Sequence, residues 1–71
     1  MFHVYPNPAK DILHVQTNDK ATLTLTDQSG KILFTKNING KEEINVVNFA
    51  AGLYYLRNNE TGAVQKVIVT K

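Results

Sequence analysis

The stretch Ala21-Thr22-Leu23-Thr24-Leu25-Thr26 alternates apolar and threonine side chains at every step. Successive side chains of a strand point to opposite faces, so this pattern turns Ala21, Leu23 and Leu25 inward and the three threonines outward. A half-buried strand needs neighbours. Asp27-Gln28-Ser29-Gly30 follows at once, with an aspartate able to bond the backbone two residues on and a glycine able to take positive φ. The pair Ala21–Thr26 and Lys31–Asn37 is therefore expected to form a hairpin.

The rest of the chain supplies further short pieces. Phe2–Tyr5 reads as an extended edge piece, because Pro6 and Pro8 remove two backbone donors and force Tyr5 and Asn7 out of the helical region. Asp11–Thr17 follows as a strand with Leu13 and Val15 on one face and Ile12, His14 and Gln16 on the other. Asn18-Asp19-Lys20 and Asn39-Gly40 read as turns, and Glu42–Val47 alternates with Ile44 and Val46 inward. The Phe49 loop leads to Gly52 and the strongest strand signal, Leu53–Arg57, in which Tyr54 and Leu56 share one face and Tyr55 and Arg57 the other. Asn58–Gly62 turns the chain into Ala63–Thr70. The expected core is Leu13, Leu23, Leu25, Leu33, Ile44, Val46, Tyr54, Leu56, Val67 and Val69. No ten-residue stretch has helical period, so the fold class is all-β: a small antiparallel β-sandwich of six to seven short strands, with a small barrel as second choice.

Length and charge narrow the function. Seventy-one residues permit one domain, and a chain so short buries only about 60% of the surface that its unfolded form exposes. The formal charge is +2, and the basic residues are spread along the chain among the acids. Such spacing describes a solvated surface rather than the basic cluster of a nucleic-acid site. No apolar run approaches the roughly 20 residues that span a bilayer, so direct membrane insertion is not expected. The abrupt strand-like start reads as a domain cut from a longer protein.

Candidate sites are weak. His3, His14 and Asp11 lack short-range ligand spacing for a metal, and Asp27–Lys31 lacks the alternate acidic ligands of a calcium loop. Ser29 is the single serine, in a turn, and no phosphate-binding glycine loop occurs, which argues for a non-enzyme without cofactors. Asn59-Glu60-Thr61 matches a glycosylation triplet that arises often by chance. Tyr5, Tyr54 and Tyr55 offer too few exposed rings for a sugar platform once Tyr54 is in the core. By alternation Ile12, Ile32, Phe34 and Ile68 face outward, and together they are a candidate docking face.

Four motifs in order, Tyr5-Pro6-Asn7-Pro8-Ala9 with Asp11 and Leu13, Asp27-Gln28-Ser29-Gly30-Lys31, Gly52-Leu53-Tyr54-Tyr55-Leu56, and Lys66-Val67-Ile68-Val69 with a final Lys71, resemble the type A C-terminal sorting domain of type IX secretion cargo in Bacteroidetes. The likeness covers essentially the whole chain. It implies an immunoglobulin-like β-sandwich that acts as a non-catalytic address label on an N-terminally fused cargo. The expected partners are the type IX translocon with its shuttle proteins and sortase, and the expected route is the periplasm in transit, then the cell surface or the medium. By position, the resemblance assigns recognition by the translocon to Gly52, Tyr54, Lys66, Val67, Val69 and Lys71. A physical route to recognition is strand addition at an open edge, with the last strand as the candidate. The competing reading is a surface-adhesion or carbohydrate-binding β-sandwich module, which shares the fold and the lack of catalytic groups.

Overall fold

The computed structural model describes residues 2–71. It has five antiparallel strands, β1 Phe2–Tyr5, β2 Ile12–Asp27, β3 Ile32–Asn45, β4 Gly52–Asn58 and β5 Val64–Val69. The all-β class is as expected, but the strands are fewer and longer than six to seven short ones, because the two segments expected to be turns lie inside strands.

Asn18-Asp19-Lys20 continues β2, and Asn39-Gly40 continues β3. The ladder pairs Gln16 with Lys41 and Lys20 with Asn39, so Thr17, Asn18 and Asp19 face Gly40 alone. The surplus on β2 makes a bulge, which bends a strand without ending it. Gly40 takes φ +89° opposite the bulge, a conformation that costs a side chain-bearing residue dearly. Thr17, buried here, donates its hydroxyl to the Asp19 carbonyl at 2.7 Å. Polar residues that signal a turn thus also serve where a long strand must fold over.

A second irregularity corrects the expected core. Leu25 pairs with Phe34 but Thr26 pairs with Ile32, leaving Leu33 as an extra residue. Leu33 is 37% exposed, and Phe34 packs against the core instead. A one-residue slip reverses every side chain. With β3 continuous, the inward phase set by Ile44 runs back through Ile38, which is buried, to Phe34.

The bend lets β2 change neighbours. Its first half lies between β1 and the end of β3, and its second half between the start of β3 and β4, which carries β5. The sheet curls, and Ala9 closes it through a parallel bridge to Val69. The inward residues of both halves meet in one cluster that includes Leu13, Val15, Leu23, Leu25, Leu56 and Val67. The expected Asp27 turn is present: its carboxylate accepts from the Ser29 N–H at 2.9 Å, the Ser29 hydroxyl at 2.7 Å and the Lys31 N–H at 3.0 Å.

Candidate functional site: the C-terminal hairpin

The hairpin β4–β5 is built from two strands whose alternation agrees. The register pairs Leu53 with Ile68, Tyr55 with Lys66 and Arg57 with Val64 on one side, and Gly52 with Val69, Tyr54 with Val67 and Leu56 with Gln65 on the other. On the second side Tyr54, Leu56, Val67 and Val69 are buried. Tyr54 stays satisfied there because its hydroxyl donates to the Ala50 carbonyl at 2.6 Å, while its ring lies 5.6 Å from that of Phe49. A buried tyrosine needs such a partner for its polar end. The buried Asn58 organises the turn, accepting from the Glu60 N–H at 2.9 Å.

The outer edge of β5 is covered. Asn7 donates its amide to the Lys66 carbonyl at 2.7 Å and accepts from the Ile68 N–H at 2.9 Å. The carboxamide thereby stands in for a peptide group of a neighbouring strand. Ala9 then takes over with its own backbone, donating to the Ile68 carbonyl at 2.7 Å and accepting from the Thr70 N–H at 2.9 Å. Gln65 adds a bond to the Phe2 carbonyl at 2.9 Å. The two prolines flanking Asn7 have no N–H to satisfy, and Ala9 is fully buried, so a short polar strap closes onto β5 with a small residue in the core. The open last-strand edge expected from the sequence is therefore occupied. The signal was an asparagine held between two prolines, legible as rigid but not as a strand mimic.

The residues expected to be recognised separate into two groups. Tyr54, Val67 and Val69 are core side chains, whereas Gly52 and Lys66 are exposed. Gly52 opens β4 with φ +156°. Lys71 is exposed yet tied, donating from Nζ to the Val47 carbonyl at 2.6 Å. The candidate docking residues are not brought together. Ile12 pairs with Asn45 at one end of β3 and Ile32 with Thr26 at the other; Phe34 packs on the core, while Ile32 is 62% and Ile68 41% exposed.

A second feature lies across the sheet. Tyr5, His14 and Glu43 form a cross-strand row, with the Tyr5 and His14 rings stacked at 5.2 Å and His14 Nδ1 3.5 Å from Glu43. His3 sits opposite Gln16, and among the described residues no group of three His, Cys, Asp or Glu converges as a metal site would require.

The domain thus ends in a hairpin whose inner side is buried, whose edge is covered by the strap and whose outer side is exposed. The family model of the secretion system C-terminal sorting domain matches residues 3–70. The chain belongs to this family, the C-terminal sorting domains of type IX secretion. No curated protein and no solved structure matches the chain.

Proposed function

We propose that the domain is a non-catalytic address label, fused behind an N-terminal cargo, which directs that cargo through the type IX outer-membrane translocon. The observation that carries this reading is the family match over nearly the whole chain. On this reading the cargo reaches the periplasm by a separate signal, the translocon works with its associated shuttle proteins, a cell-surface sortase removes the domain, and the cargo ends at the cell surface or in the medium. The curled sheet would be this chain's form of the family's immunoglobulin-like sandwich. Of the assigned recognition residues, Tyr54, Val67 and Val69 serve by holding the hairpin in shape, which leaves Gly52, Lys66 and Lys71 for direct contact.

The test is a secreted reporter fused to this domain in a type IX-competent bacterium. The fusion should appear outside the cell, and the reporter alone should stay in the periplasm. Equal retention of both would refute the reading. Deleting Val67–Lys71 is a poor variant because it removes two core side chains and confounds folding with recognition. The carbohydrate-binding alternative rests on the stacked Tyr5–His14 pair, and sugar-dependent changes in the His14 resonances would support it.

A further inference from the structure

The inward half of β4–β5 is spent on the core and its edge is covered by the strap, so between the exposed ends at Gly52 and Lys71 the folded hairpin offers a partner its outward side chains. We propose that this face, Leu53, Tyr55, Arg57, Val64, Lys66 and Ile68, docks onto an apolar protein surface bordered by carboxylates. This rests on the sorting reading and names the chemistry of the partner.

The geometry is specific. Cross-strand pairing sets Leu53 beside Ile68, Tyr55 beside Lys66 and Arg57 beside Val64, so apolar groups and cations share one continuous two-strand surface. Val64 is 52% exposed. Isolated exposed apolar residues are ordinary, but adjacent ones on paired strands mark interaction surfaces.

The charges point to the partner. Neither β4 nor β5 contains an acidic residue, and in the β2 segment paired with β4, Leu23–Asp27, the one acid is Asp27, which lies opposite inward-facing Tyr54 and is bonded to Ser29 and Lys31 in its own turn. The ion pairs among the described residues are His14–Glu43 and Lys36–Glu42, so among those residues Arg57 and Lys66 form no ion pair with a carboxylate. Complementary potentials favour and orient encounter with an acidic surface. An anionic lipid surface is the weaker match, because juxtamembrane lipid-binding segments use clusters of about 4–8 basic residues and this face has two.

The experiment uses the reporter fusion with Arg57→Glu/Lys66→Glu, and a control, Lys20→Glu/Lys31→Glu, that changes net charge equally elsewhere. Secretion of the first should fall about tenfold or more, with the fusion trapped in the periplasm, since like charges placed across an interface cost several kcal/mol. The control should secrete as the parent does. Thermal melts of the purified domains establish folding; if the Glu pair unfolds, Arg57→Gln/Lys66→Gln and Ile68→Ser take its place, each expected to reduce secretion. Parental secretion by every folded variant of the face overturns the proposal, as does an equal loss in the control. Sedimentation with phosphatidylglycerol vesicles should show no binding, and binding abolished by Arg57→Glu/Lys66→Glu would overturn the protein partner in favour of lipid. If the parent fusion itself is not secreted, the sorting reading fails and takes this proposal with it.

Discussion

At the β5 edge, the Lys66 carbonyl, the Ile68 N–H and carbonyl and the Thr70 N–H are taken up by Asn7 and Ala9, whereas β3 pairs on one side only, with β2, along the other border of the sheet. Unpaired edges invite pairing with other chains, and proteins manage them by covering or by charge and kinks. This molecule uses both methods. The β5 edge is covered by a strap from the distant N-terminal segment. The β3 edge is left open but carries Lys36, Lys41, Glu42 and Glu43 and is bent at Gly40. The difference teaches where selectivity can reside: a sealed edge removes backbone hydrogen bonding as a means of reading the hairpin and leaves its side chains.

The comparison breaks most severely if the strap cannot seat. Ala9→Leu forces a larger side chain into a fully buried site and should cost about 1–3 kcal/mol by overpacking, read in denaturant melts; an unchanged midpoint would mean that the strap is dispensable. Next, Asn7→Ala removes two hydrogen bonds from the β5 edge and should cost about 1–2 kcal/mol. Asn7→Asp should be worse, because it keeps an acceptor for Ile68 but sets a carboxylate against the Lys66 carbonyl. On the open side, Lys36→Val/Glu42→Val loses a surface ion pair, which contributes little to stability. Its main effect should be self-association, seen as concentration-dependent sedimentation, and a strictly monomeric variant would show that these charges do not guard the edge.

The smallest expected effect is at the hairpin turn. The Ser29 hydroxyl, then the Lys31 N–H, hold the Asp27 carboxyl below its usual range. A depressed folded pKa means stabilisation that is complete above the unfolded pKa and lost as pH falls through the folded one. Melting temperature should therefore drop slightly more on acidification in the parent than in Asp27→Asn, and parallel curves would remove Asp27 from the acid response.

Much of the architecture was legible because it rests on local alternation. Leu23 and Leu25, and Tyr54 and Leu56, are buried as their patterns require, and Asp27 makes the turn that its side chain can make. The errors in strand number and in the facing of β3 have one source. Asn18-Asp19-Lys20 and Asn39-Gly40 carry turn chemistry, and a bulge facing a positive-φ glycine uses the same residues as a chain reversal. Splitting β3 there freed the phase of its first half from that of Ile44 and Val46, which misplaced Leu33 and Phe34. The docking set inherited the fault, since Phe34 is partly buried and Ile12 lies far along the ladder from Ile32.

By itself the sequence determined the all-β class, the turn at Asp27, the two faces of the terminal hairpin and the family, because each is written in neighbouring residues or in motifs in order. Tertiary structure alone decided that two hairpin arms run on through a bend, that Asn7 serves as a surrogate peptide for β5, and that Arg57 and Lys66 share the outward side of the paired strands. Those are contacts between segments about sixty residues apart, or between paired strands, and register and closure set them, not local pattern.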